Sequence, residues 1–192
     1  MYIGKVGKFF NYFSKNIGYS YYLTGGGHKV FQVGDKIVHP MHGAGVIDSI
    51  VEERVGKDKV RFYVFKMPVS GLTLKIPTEN SDMIGIRAIS GADAIDELLA
   101  QMPKLAADMT TNWNHRYREN MDRIKSGNLT EVSCVIKALM FRDGERGLST
   151  GERKMLHNAK QILLSEIVLA QNIEYSDAEA RVNAAMMAGE SA

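Results

Sequence analysis

The sequence predicts an α+β protein in two parts, a small β-barrel followed by an all-α bundle of about five helices. Three observations carry that expectation. Between Phe31 and about Ile89, short runs of β-branched and aromatic residues alternate with turn signals. From Ser90 onward, the apolar residues recur at helical spacing instead. The 192 residues are enough for two small domains, and 45% hydrophobic with 24% charged residues is the composition of a globular chain.

The expected strands are Lys36–His39, Gly45–Val55, Val60–Met67, Leu72–Ile76 and Ile84–Ile89. They are separated by His39-Pro40, Gly43, Gly56 to Asp58, Pro68 to Gly71 and Pro77 to Asn80, all residues that favour turns. Five strands this short leave apolar faces and edges open if the sheet is flat. An SH3- or Tudor-like barrel is therefore expected.

The first helix follows Ser90-Gly-Ala-Asp93, which has the form of a capping signal, and carries Ile95, Leu98, Leu99 and Met102 before Pro103. A second spans Trp113 to Lys125 and closes at Gly127. A third begins near Thr130, with Val132, Val135, Ile136, Leu139 and Met140 on one face. Ser149-Thr-Gly-Glu152 is a capping box for the fourth, whose apolar face holds Met155, Ala159, Ile162, Leu163 and Ala170. A last short helix starts at Ser176-Asp-Ala-Glu179, and residues 189–192 are expected to fray. The expected organisation is thus 31–89 for the barrel and 90–188 for the bundle.

Residues 1–30 differ in kind. They hold eight of the sixteen aromatic residues, four lysines, no acid and the run Gly25-Gly26-Gly27, and neither periodicity passes through them. The expectation is a disordered or non-native extension, with Val30 as an alternative start; a membrane- or partner-binding arm is the competing idea. The segment also distorts the net charge. The chain carries +2, and without these four lysines the remainder carries −2, so any DNA contact must come from a local patch.

Composition and motifs argue against an enzyme. The chain has no phosphate-loop motif, no G-x-S-x-G nucleophile turn and no H-E-x-x-H zinc helix. A lone cysteine, Cys134, rules out an internal disulfide, and its place beside an apolar stripe suggests packing rather than reactivity. His39 and His42 have ligand-like spacing but no partner Cys or carboxylate nearby, so neither a metal nor a cofactor is expected. Asp143 and Glu145 share an expected loop with Arg142 and Arg146, a pattern that suggests ion pairs. No 18-residue apolar run suggests a membrane span.

The segment Thr110 to Arg118, TTNWNHRYR, admits two readings. With Thr111 or Asn112 as cap, the N-terminus of the second helix offers free N–H groups and a positive dipole end to a phosphate. Arg116, Arg118, Arg123 and Lys125 add charge for a DNA backbone. Alternatively Trp113, Tyr117, Met121 and Ile124 form a core stripe, and Trp113 is simply its first member. Spacing leaves both open.

Several stretches, taken in order, resemble the CarD/CdnL family of bacterial transcription factors. They are Val33 to Pro40 (VGDKIVHP), His42 to Ala44, Leu72 to Pro77 (LTLKIP), Thr111 to Trp113, Arg116-Tyr117, Arg142 to Ser149 (RDGERGLS), Gly151 to Leu156 and Ala159 to Leu163. Together they reach from about residue 31 to 170. The resemblance implies a Tudor-like domain that docks on the RNA polymerase β subunit by extending a sheet edge. It also implies a helical domain at the upstream edge of the promoter bubble, where a tryptophan wedges into the minor groove and favours the open complex. Carried over by position, Trp113 is the wedge. Asn112, His115, Arg116, Arg118, Arg123 and Lys125 make up the rest of the DNA-binding set.

On the barrel, Lys75 matches a basic polymerase-contacting position. A second such position falls at the acidic Glu53, leaving Arg54 beside it as the substitute. His115 stands where the family can carry arginine, which makes that contact weaker or pH-sensitive. The implied protein is a cytoplasmic, nucleoid-associated monomer that works through RNA polymerase and promoter DNA, without a membrane partner. Two alternatives stand beside this reading. One is a fragment of a transcription–repair coupling factor, which the missing phosphate loop and the length disfavour. The other is a polymerase- or peptide-binding adaptor that never acts on DNA.

Overall fold

The structure is a computed structural model that describes residues 30–106 and 113–188; the expectations for residues 1–29 and 189–192, and those for Thr111 and Asn112, fall outside it. The strands are β1 (Lys36–His39), β2 (Gly43–Val55), β3 (Asp58–Met67), β4 (Leu72–Pro77) and β5 (Arg87–Ala88). They form one antiparallel sheet in the order β4-β3-β2-β1-β5. On β3, Tyr63, Phe65 and Met67 are buried while Lys66 between them is exposed, the period-two signature of a strand with one covered face. The β2–β3 register slips between Ile47 and Ser49, so Asp48 is an extra residue that lets the 13-residue β2 bend.

Phe31, Ile37, Ile47, Tyr63, Phe65, Met67, Ile76 and Ile86 make the core of this half. Phe31 belongs to it firmly. Its ring meets Tyr63 edge-on at 6.1 Å, and its N–H donates to the Tyr63 Oη at 3.1 Å.

The fifth expected strand is much shorter than predicted. Its first residue, Ile84, instead ends a one-turn helix, α1 (Ser81–Ile84), and only Arg87–Ala88 pair, with β1. Gly85 closes that turn at φ 84°, which an L side chain rarely adopts, and its N–H donates to the Asp82 carbonyl. The described residues therefore hold six α-helices rather than five, the extra one being this single turn.

The other five are α2 (Ala92–Gln101), α3 (Trp113–Lys125), α4 (Leu129–Arg146), α5 (Thr150–Gln171) and α6 (Tyr175–Met187). Asn128 caps α4 through its Oδ1, and Ser149 caps α5 in a complete capping box with Glu152. The expected Ser90 cap does not form. Gly91 occupies the N-cap of α2 without a side-chain bond, and the Ser90 hydroxyl donates to Glu166 instead. The segment Arg142 to Arg146, expected as a loop, forms the last turns of α4, which end where Gly147 takes φ 75°. Arg142 pairs there with Glu152 and not with Asp143 or Glu145.

A second core lies among the helices, built from Ile95, Leu98, Met102, Ile124, Val132, Val135, Ile136, Leu139, Met155, Ala159, Ile162, Leu163 and residues of α6. The two cores meet along α5. The Ala44 N–H donates to Ser165 Oγ at 2.8 Å, and Lys36 Nζ reaches the Leu169 carbonyl at 2.8 Å. Gly43 allows this approach. A Cβ there would stand 2.3 Å from Ser165 Oγ, and its φ of 94° independently excludes most side chains.

Glu166, fully buried, accepts from both Arg87 terminal nitrogens at 2.7 Å and from Ser90 N and Oγ at 2.9 and 2.7 Å. Arg87 also donates to the Gly127 carbonyl in the α3–α4 turn. Among the described residues no helix is long and apolar enough to cross a membrane.

Candidate nucleic-acid and polymerase interfaces

Two surfaces carry the residues singled out in the sequence, and they differ in what they offer. The first is the β4 edge. Among the described residues β4 pairs only with β3, which leaves it the edge strand of their sheet. The opposite edge, β5, is two residues long and its Arg87 is tied to α5, so it has little backbone to offer. Along β4, Leu72 is half exposed and Ile76 buried. Lys75 is bonded to Glu53, the acid that stands where a second basic residue was expected. Arg54 is exposed near the tip of the β2–β3 hairpin, opposite Lys59. Lys59 in turn pairs with Glu52 at 2.9 Å. Local acids therefore mute the basic character of this surface.

The second surface is α3. Trp113 is its first residue, and the candidate contact Asn112 lies outside the described residues. Arg118 and Lys125 are exposed. His115 is exposed too, with its Nδ1 3.6 Å from Glu119 one turn on. Arg123 is half-buried and held by Glu119 at 3.0 Å, with Glu131 at 3.6 Å. Arg123 and Lys125 also occupy the last turn, where cations complement the helix dipole. An open groove runs beside the helix, lined by His115, Arg118, Arg123, Glu119, Asp122 and Glu131. Its charges alternate in sign, so it is no continuous basic track.

Arg116 corrects the sequence reading. It was expected to face a DNA backbone, but it is only 5% exposed and donates to Glu152 at 2.9 Å. The core stripe shifts with it. Tyr117 is 38% exposed, and from residue 114 onward the buried positions of α3 are Arg116, Asn120 and Ile124, with Met121 packed partly against the helical core. Both sets fit a period of 3.6, so spacing alone does not choose between them.

Glu152 is the functional candidate that sequence reasoning missed, because the capping box alone accounts for it. Its Oε2 accepts from Ser149 N and Oγ at 3.0 and 2.8 Å. Its Oε1 accepts from Arg116 and lies 3.0 Å from Arg142 Nε. Burial pushes this carboxyl up, but the bonds from Ser149 and Arg116 outweigh it and hold it below the usual carboxylate range. No pattern in the chain signals that arginines on two other helices converge here.

The remaining titratable residues stay apart from both surfaces. The rings of His39 and His42 lie 4.6 Å apart across the β1–β2 turn, tilted by 56°, and His39 Nδ1 accepts from the Met41 N–H. Burial and the neighbouring His42 push His39 down to about 4. Among the described residues no group of three or more His, Cys, Asp or Glu is arranged to hold a metal. Cys134 is half-buried, and burial raises its thiol, the opposite of an activated nucleophile.

Comparison with known proteins matches both halves of the chain. Residues 31–90 match the CarD-like/TRCF RID domain, and residues 97–183 match the CarD C-terminal domain. A protein of Bacillus subtilis (strain 168) named "Putative transcription factor YdeB" is 36% identical over 144 residues, which cover 75% of this chain and 94% of that protein.

Proposed function

Because the chain belongs to the CarD-like family, whose role is transcription-related and engages RNA polymerase, we propose that it bridges the polymerase β subunit and promoter DNA and so stabilises the open complex. The observation that carries this reading is β4, a one-sided edge strand within the polymerase-interacting match. An added strand from a partner gains main-chain hydrogen bonds along such an edge, and nearby side chains set specificity. Lys75 and Arg54 are the side chains proposed for that rim.

On the helical side, Trp113 is the proposed minor-groove wedge at the start of α3. Arg118 and Lys125 are the cations open to a phosphate backbone, and His115 and Arg123 are the muted ones. Arg116 supports the helix from beneath. Alternating charges along α3 give the chain little affinity for DNA by itself. Docking on polymerase supplies a high effective concentration of promoter, which makes a weak local contact sufficient.

The same alternation favours the second reading, an adaptor that binds polymerase without acting on DNA. The polymerase half is tested by co-purification of the full chain with the β subunit, in parent and R54E/K75E forms. Charge reversal at two rim positions weakens capture, typically through slower association. Undiminished capture removes both residues from the interface.

A further inference from the structure

We infer, resting on the promoter-DNA reading above, that Glu152 is a positioning residue for DNA engagement: through Arg116 it fixes the first turn of α3, the turn that Trp113 opens. Three buried side chains anchor α3 among the described residues, and they divide the helix in two. Ile124 sits in the apolar core and holds the C-terminal half. Arg116, three residues after Trp113, holds the N-terminal half, and its terminal nitrogen donates to Glu152 at 2.9 Å. Three residues rise roughly 4.5 Å along a helix, so whatever fixes Arg116 fixes the backbone that carries Trp113.

A guanidinium with 6% side-chain exposure is tolerated only beside a compensating charge. Glu152 supplies it while also holding Ser149 and lying against Arg142, so one carboxylate joins the starts of α3 and α5 to the end of α4. Placing α3 relative to α5 could be done by apolar packing, as Ile124 does lower down. A buried ion pair is instead directional, which suits a helix start that must hold one orientation.

Glu152→Gln separates the two duties of this side chain. A carboxylate accepts hydrogen bonds on both oxygens, whereas an amide accepts on one and donates on the other. A capping box accommodates Gln as well as Glu, so the amide oxygen stays with Ser149 and its NH2 meets the arginines. The cap survives and the Arg116–Glu152 bond is lost. Should loss of the Arg116–Glu152 pair compromise folding, R116Q/E152Q removes both charges together, a change that buried pairs often tolerate.

Trp113 is the chain's only tryptophan, so its emission reports on this turn without any label. The experiment compares parent, W113A, E152Q and R116Q/E152Q in circular dichroism, polymerase co-purification and open-complex lifetime, with tryptophan emission read on all but W113A. The expected result is a folded E152Q or double variant that keeps polymerase binding, shifts Trp113 emission and shortens the lifetime about threefold or more. Where W113A shortens the lifetime, a folded variant with parental lifetime or parental emission overturns the inference. Failure of both variants to fold overturns it as well, because Glu152 is then a folding residue. If W113A itself leaves the lifetime unchanged, the promoter-DNA reading falls, and emission alone judges Glu152: a shift supports its hold on the turn, and parental spectra refute it.

Discussion

Glu152 and Glu166 lie on one helix, α5, and are both buried, yet they hold different things. Glu166 faces one arginine bidentately and takes two further bonds from Ser90, which closes the junction between the sheet and the helices. Glu152 divides its oxygens between a helix cap and two arginines within the helical half. The first site is saturated and joins the two halves. The second is shared and joins α3 to its support. A buried carboxylate can thus serve assembly of the whole or alignment of a part, and the partner list distinguishes the two.

The comparison breaks most visibly at Glu166. Replacing it with alanine leaves Arg87 without its carboxylate and should cost about 3–5 kcal/mol in stability, the usual penalty for halving a buried pair. Thermal melting of E166A checks this, and R87M/E166L should recover much of the loss. Lifting of the E166A penalty by added salt alone would show the site to be solvent-screened and not buried.

Acidification separates the sites next. His39 sits in the turn that packs Gly43 and Ala44 against α5, and its folded-state pKa of about 4 lies below the unfolded value. The unfolded chain therefore binds the proton first, so this contribution is present in full above pH ~6.5 and is lost as pH falls from there toward 4. The loss amounts to up to about 3 kcal/mol. Glu152 acts lower. Its pKa is depressed, so its contribution is complete above the unfolded carboxyl's value near ~4.3 and disappears only as pH drops below it. Melting against pH for the parent and H39N should differ chiefly between pH ~4 and ~6.5.

Gly43→Ala probes the close approach itself. The strained φ and the contact with Ser165 Oγ together should cost about 1–3 kcal/mol. A melt indistinguishable from the parent would mean that the β1–β2 turn relaxes freely.

Much of this was legible in the sequence. β1, β3 and β4 follow from alternation between turn signals, and the capping box marks the start of α5 correctly. Ile84–Ile89 was misjudged because its apolar residues resemble a strand, while Gly85 at positive φ breaks it. Arg142 to Arg146 looked like a loop because Gly144 and the charges suggest one, yet the salt bridge to Glu152 lies across this segment. The deeper misses are long-range. Arg116 and Glu152 are 36 residues apart, and Arg87 and Glu166 are 79 apart. Periodicity reports which face of an element is apolar. It says nothing about which charged residue turns inward to meet another, so neither reading of α3 places Arg116 inside.

The smallest effect separates Arg116 from Arg118 on α3. R118A, at an exposed position, should change stability by no more than about 0.5 kcal/mol while weakening DNA-dependent function and flattening its salt dependence. R116A should do the reverse and show its effect first in the melt. Equal melting temperatures for the two would contradict the buried placement of Arg116.

The proposed bridging function is tested most directly by the lifetime of open complexes formed by polymerase on a promoter, measured without the protein, with the parent and with W113A. The parent should lengthen that lifetime, and W113A should lose the gain while still co-purifying with polymerase. A parent that co-purifies with polymerase yet leaves the lifetime unchanged would contradict the account and identify the chain as an adaptor.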